Sequence, residues 1–296
     1  MTLDGTHRMW ADLYDPGITP ELADFTVIGL PFDDRASARK GAAKAPERIR
    51  FWSHHLTPYS EDRTPLSSLR ICDLGDIQIK DPLVDFPVVS SRVANLNNIL
   101  ITLGGDHSVS IPIFEGQKIR TGKGRLGVLW IDAHPDLCDE FDGLHFSHAC
   151  VLRRALEFGI EPQDVCLVGL RSWEEQELDL IENGGLHVFT ALDVDERGMK
   201  SIGSEIRGIL AKCDAVHVSF DIDALDPSSA PGTGIPEYGG LSVRDVLTLF
   251  KAIRGLPFIG LDMVEVAPVL DPSEASVFAA LKIIMEFISL SKGRKN

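Results

Sequence analysis

Six short runs rich in apolar and β-branched residues, at 25–30, 98–103, 126–131, 165–170, 215–220 and 258–264, set the tightest limit on what this chain can form. Runs of this length without polar alternation read as strands buried on both faces, the condition of a parallel sheet. Amphipathic stretches at 45–55, 84–97, 148–158, 174–182, 204–211, 243–254 and 273–289 lie between them. The alternation predicts an α/β fold of three layers, α/β/α, in which a mostly parallel central sheet is covered by helices on both faces. With 296 residues, 44% of them hydrophobic, and no break in composition, the chain reads as one domain over 1–296, with residues 1–20 as an N-terminal extension.

Charge narrows the partners. Lys and Arg total 29 against 44 Asp and Glu, a formal charge of −15. That balance opposes nucleic acid and anionic membranes and favours a small cationic ligand. The cysteines at 72, 138, 150, 166 and 213 form no CxxC pair and no disulfide framework, which points to reduced thiols and a cytoplasmic location. Neither a signal peptide nor a membrane span is expected, because residues 1–14 have no apolar run and no later stretch reaches the roughly 20 apolar residues a span needs.

In an open α/β sheet, ligands bind outside the carboxyl ends of the strands. Three of the predicted strands end in residues able to bind metal. Asp132-Ala-His134-Pro-Asp136 follows the run at 126–131, with its metal-capable side chains at alternate positions. Ser219-Phe-Asp221-Ile-Asp223-Ala-Leu-Asp226-Pro repeats that spacing after another strand. Gly104-Gly-Asp106-His107-Ser108 follows a third, where the paired glycines are expected to let the backbone turn sharply and bring His107 inward.

A lone DxD or DxH is weak evidence, since Asp often caps turns at strand ends. Three such motifs, each after an apolar strand, are hard to explain as independent turn chemistry. Carboxylates gathered this closely repel one another unless cations neutralise them, and two divalent ions would do so. Oxygen-rich ligands with two imidazoles suit manganese better than zinc, with iron, cobalt or nickel as alternatives. Two such ions about 3.5 to 4 Å apart can activate a shared water near neutral pH, so the chemistry points to hydrolysis.

GGDHS at 104–108, DAHPD at 132–136 and SFDIDALDP at 219–227 resemble the three signature motifs of the ureohydrolase family, which includes arginases and agmatinases. IGLPFDD at 28–34, PGTGIPEYGGLS at 231–242 and LDMVEVAP at 261–268 extend the likeness over nearly the whole chain. The resemblance implies an arginase-like fold and two Mn2+ ions. One ion would be held by His107, Asp132, Asp136 and Asp221, the other by Asp132, His134, Asp221 and Asp223, so that Asp132 and Asp221 bridge both. It further implies that Glu265 binds the substrate guanidinium and that His148 shuttles protons, with His145 as a competitor for that role. A homotrimer or homohexamer follows from the same likeness.

The loop after the second motif is short and carries Asp139, Glu140 and Asp142. These acids would repel an α-carboxylate and could receive an ammonium group, which favours agmatine, and the loop is similar to those of microbial, particularly archaeal-type, agmatinases. Arginine, guanidinobutyrate, guanidine and formiminoglutamate stay open, because the family keeps one metal core behind different outer loops. Outside the family's chemistry, the alternatives are a single-metal deacetylase-like enzyme and an inactive homologue that keeps the fold.

Overall fold

The computed structural model describes residues 9–291. Its strands are β1 (Phe25–Gly29), β2 (Ile71–Asp76), β3 (Ile99–Leu103), β4 (Leu126–Ile131), β5 (Val165–Leu170), β6 (His187–Thr190), β7 (Ala215–Asp221) and β8 (Phe258–Val264). They form one sheet in the order β2-β1-β3-β8-β7-β4-β5-β6, with every neighbouring pair parallel.

Alternate residues of the inner strands feed opposite faces of the sheet. In β3, Ile99, Ile101 and Leu103 join one buried cluster while Leu100 joins the other; in β4, Leu129 and Ile131 part from Val128 and Trp130 in the same way. One cluster is closed by the helices Ala45–Ser53, Met199–Leu210, Val243–Ile253 and Ala275–Leu290, the other by Pro82–Ala94, Ser110–Thr121 and Val151–Glu157. The expected α/β/α layering is therefore present, and the six expected strands are all in the sheet.

Among the described residues, two strands and two helices were not expected, besides the four-residue left-handed turn Met9–Asp12. β2 and β6 are the sheet edges, and their mixed exposure breaks up the continuous apolar run that marks an inner strand. Pro112 and Gly116 disguise the helix Ser110–Thr121. Gly116 is there for contact: a Cβ on it would lie 2.6 Å from both the Ser90 carbonyl oxygen and Val93 Cβ of the neighbouring helix. Ala191–Arg197 is the other unexpected helix. The stretch expected as one helix over 148–158 starts as a 3-10 turn, His148–Cys150, before Val151–Glu157.

Of the extension expected over 1–20, residues 1–8 lie outside the described residues. Trp10 is fully buried, with its backbone N–H donating to Ser53 Oγ at 3.1 Å and its indole N–H to Asp73 at 3.1 Å. Among the described residues, no helix is long and apolar enough to cross a membrane, and the five cysteines are all free and buried.

The strand order does the assembling. β3 and β4 are separated in the sheet by β8 and β7, so the carboxyl ends of these four adjacent strands deliver the three motifs and Glu265 to one crevice.

Candidate metal and active site

His107 lies on the turn after β3, which Asp106 caps by accepting from Ser108 N–H at 3.1 Å. The glycines before it have a different purpose from the one expected. Neither Gly104 nor Gly105 is among the residues with positive φ. A Cβ on Gly105 would lie 1.7 Å from the Phe32 carbonyl oxygen, and one on Gly104 would lie 2.6 Å from Val264. Close approach of chain segments, rather than a left-handed turn, excludes larger residues here.

The His107 ring is buried, stacked on Trp130 with centroids 4.3 Å apart and 7° between planes. Its Nδ1 faces Asp132 Oδ2 at 3.1 Å, Asp136 Oδ2 at 3.1 Å and Asp221 Oδ2 at 3.2 Å. Its Nε2 is 2.9 Å from Ser219 Oγ, a second partner that fixes the ring's orientation. His134 faces the same cluster from the other side, with Nδ1 3.1 Å from Asp223 Oδ2 and 3.6 Å from Asp132 Oδ1.

Backbone N–H groups aim the carboxylates. Asp132 Oδ1 accepts from His134 N–H at 2.7 Å, Asp221 Oδ1 from Asp223 N–H at 2.8 Å, and Asp223 Oδ1 from Ala133 N–H at 3.2 Å. Each carboxylate thus commits one oxygen to the fold and presents the other to the centre. Asp136 at φ 49° and Glu265 at φ 59° hold left-handed backbone, a conformation costing about 1 to 3 kcal/mol and persisting where surrounding structure imposes it.

The electrostatics are those of a cation site. Burial, then repulsion from Asp132, pushes the Asp136 pKa up to about 7. Burial and the charges of Asp223 and Asp132 hold Asp221 well above the usual carboxylate range. Burial acts to lower the His134 pKa, but the charges and hydrogen bonds of Asp223 and Asp132 outweigh it and push it up to about 12. Divalent charge would relieve the repulsion among these buried carboxylates.

Two further features fit metal. His107 Nδ1 and Asp132 Oδ2 are buried and lack any hydrogen bond of proper geometry, although they face each other. Ligand atoms of His107, Asp132 and Asp136 form one compact group and those of Asp132, His134 and Asp223 another, so Asp132 belongs to both. Asp221 reaches the first group through His107.

A cavity of about 250 Å³ opens over this floor, lined by His107, His134, Asp136, Asp221, Asp223 and Glu265 below and by loop residues above. That volume suits a compact substrate rather than a polymer. Glu265 Oε1 accepts from His107 N–H at 2.8 Å, and burial followed by the charge of Asp106 raises its pKa well above the carboxylate range. His148 lines the wall. Its Nδ1 donates to the Arg35 carbonyl at 2.6 Å, which leaves Nε2 as an acceptor 3.2 Å from Ser37 Oγ. Burial lowers its pKa. His145 is absent from the lining and pairs with exposed Glu140 at 3.5 Å.

The loop after β4 reaches the cavity through Cys138 and Phe141, whereas the three acids expected to meet the substrate stand outside the lining. Asp139, Glu140 and Asp142 are exposed and outside the lining. Asp139 pairs with Arg154 at 2.7 Å and Glu140 with His145, while Asp142 sits in a left-handed turn at φ 52°. Their local partners turn them outward. The acids that line the upper wall instead are Glu174, Glu177 and Glu237. Asp106 and Asp226 serve loop backbone, Asp226 accepting from the N–H groups of Ser228, Gly239 and Gly240.

Sequence reasoning missed Ser219, Trp130, Ser37 and Glu237. Ser219 and Glu237 stand inside quoted motifs, but nothing in their spacing announces a side-chain partner. Ser37 lies 111 positions from His148.

Comparison with known proteins identifies the family. Residues 23–289 match the Arginase family. An agmatinase of Chromobacterium violaceum is 32% identical over 93% of this chain and 86% of its own length. A guanidinobutyrase of Pseudomonas aeruginosa is 30% identical over 91% and 87%. The solved proclavaminate amidino hydrolase from Streptomyces clavuligerus superposes with a TM-score of 0.88 at 30% identity, covering 96% of each chain. The chain therefore belongs to the Arginase family and is a metal-dependent hydrolase acting on guanidino C–N bonds.

Proposed function

We propose that this enzyme hydrolyses agmatine to putrescine and urea with two manganese ions. The observation that carries the reading is a buried carboxylate and imidazole floor beneath a wall whose side chains favour a cationic tail. Arg39 is the one lining cation other than histidine among the described residues. Its guanidinium already donates to the carbonyls of Thr233 at 2.9 Å and Gly234 at 3.0 Å. Glu174 and Glu237 share that wall. A terminal ammonium is attracted there, whereas the carboxylate of arginine or guanidinobutyrate is repelled. The similar agmatinase supports this choice, and the similar guanidinobutyrase marks its closest competitor.

His107, Asp132, Asp136 and Asp221 are assigned to one ion, and Asp132, His134, Asp221 and Asp223 to the other. When bound, such a pair supplies Lewis acidity and activates water for attack on the guanidino carbon. Glu265 accepts hydrogen bonds from the planar cation through its remaining lone pairs, while the His107 N–H bond fixes its orientation. In the balanced reaction water adds to the guanidino carbon, the bond to the alkyl nitrogen breaks, and that nitrogen leaves as the amine after gaining a proton. His148 Nε2 handles the proton, and Ser37 Oγ links it toward solvent. A cytoplasmic homotrimer or homohexamer completes the reading, by family likeness.

Urea release from agmatine, arginine, guanidinobutyrate and formiminoglutamate with added manganese tests it. The highest kcat/KM is expected for agmatine, with about two ions per subunit. Preference for a substrate with a remote carboxylate overturns the choice of agmatine. One ion per subunit would indicate deacetylase-like chemistry, and no urea from any substrate an inactive homologue.

A further inference from the structure

We propose that Glu237 is a positioning residue for the ion at His134, a carboxylate that orients the imidazole from outside the cluster. The inference rests on the binuclear reading above.

His134 directs Nδ1 inward, to Asp223 and Asp132, and Nε2 outward, to Glu237 Oε1 at 3.8 Å. An imidazole that ligates through Nδ1 carries its proton on Nε2. An acceptor beside Nε2 therefore selects the ligating tautomer and strengthens Nδ1 as a donor. At 3.8 Å the contact is longer than a hydrogen bond, so the Glu237 side chain must move toward the ring to make one.

The backbone holds Glu237 in place independently of its side chain. Arg171 Nη2 donates to the Glu237 carbonyl at 2.7 Å and to the Asp223 carbonyl at 2.6 Å. One guanidinium thus fixes the Glu237 loop against the loop that carries the opposite ligand of His134. The arrangement differs at His107, whose Nε2 meets the neutral hydroxyl of Ser219 in the buried floor. One imidazole is supported by a buried hydroxyl, the other by a partly exposed carboxylate, which makes the His134 side the more adjustable.

The Glu237→Gln variant preserves shape and the Arg171 contact while removing the charge. Titration of metal-free protein with manganese, followed by electron paramagnetic resonance and equilibrium dialysis, is expected to show one site near wild type and the other weakened about 10- to 100-fold. Saturating manganese should restore full occupancy of both sites. The Tm of the chelated protein should be unchanged, which separates positioning from general structural damage.

Unchanged affinity at both sites overturns the proposal. If affinity is unchanged and KM for agmatine rises, Glu237 acts on the substrate tail alone. Should Glu237→Gln fail to fold, Glu237→Asp is titrated in the same way: selective weakening of one site supports the proposal, and two wild-type sites overturn it. Failure of the binuclear reading is visible separately, as wild-type protein that binds fewer than two ions.

Discussion

At the floor of the cavity, Asp132, Asp221, Asp223 and Glu265 each give one oxygen to a backbone N–H within the site. On the adjoining outer loop, Asp139 and Glu140 pair with the side chains of Arg154 and His145 and remain exposed. The floor stands on four adjacent strands, whereas the mouth is built from residues 36–39, Cys138 and Phe141 of the loop after β4, the segment after β5 and residues 233–237. A carboxylate fixed by the backbone can be aimed at a shared ion with little freedom to reorganise. One held only by a neighbouring side chain can be turned away from the cavity by the same attraction that would otherwise draw a ligand. Reaction class accordingly belongs to the floor and substrate choice to the mouth.

The largest break in that contrast comes from Asp132, which belongs to both ligand groups. On the binuclear reading, Asp132→Ala should lose both metal ions and lower kcat by more than the 10²- to 10³-fold that follows removal of one electrostatic stabiliser, about 3 to 4 kcal/mol. Asp223→Ala should lose mainly one ion. Metal analysis together with initial rates checks both, and full metal content in Asp132→Ala would remove the shared-ligand assignment.

His148 lies between floor and mouth. His148→Asn should keep both ions and lower kcat about 10²- to 10⁴-fold, the usual contribution of general acid–base help. His145→Asn should be mild, because its ring bonds outward to the Asp139 carbonyl and Glu140. Reversed sensitivities in steady-state assays would exchange the two roles.

At the mouth, smaller effects are expected. Glu174→Gln should reduce the ratio of kcat/KM for agmatine to that for arginine by about 2- to 5-fold, consistent with an exposed charge contact of about 0.2 to 1 kcal/mol. Replacing Asp139, Glu140 and Asp142 together by their amides should leave that ratio within about 2-fold, since none lines the cavity. A large change in the triple variant would show that the loop closes over substrate.

The mildest test is thermal. Asp136 and Asp221 have raised pKa values in the metal-free fold. Their contribution to stability is present below the unfolded carboxylate value of about 3.9 and is lost as pH climbs through their folded values. Asp132, lowered on balance by His107 and His134 although burial opposes it, acts in the opposite sense and contributes above that value. Protons also compete with metal for the same oxygens. The rise in Tm on adding manganese should therefore grow between about pH 5 and pH 8. A rise independent of pH would mean that the ions do not displace these protons.

The inner part of the fold was legible because β3, β4, β5, β7 and β8 are buried nearly throughout and leave continuous apolar runs. β2 and β6 left no such trace, since an edge strand has a side open to solvent and its composition is correspondingly mixed. In the candidate site, His107, Asp132, His134, Asp136, Asp221, Asp223 and Glu265 were visible as motifs at strand ends, and His148 by its resemblance. The partners Ser219, Ser37 and Glu237 were not, because each acts across a tertiary contact.

Sequence by itself determined the α/β layering, the identity of the metal-capable side chains and the strand ends on which they stand, because periodicity and local spacing are written along the chain. Only the tertiary structure decided which strand ends became neighbours, why Gly105 must lack a Cβ, and which acids face the cavity. Those outcomes depend on residues far apart in sequence competing for the same space and the same hydrogen bonds. Asp139 shows the consequence: as a sequence feature it is an acid beside a metal motif, and in the fold it is the partner of Arg154.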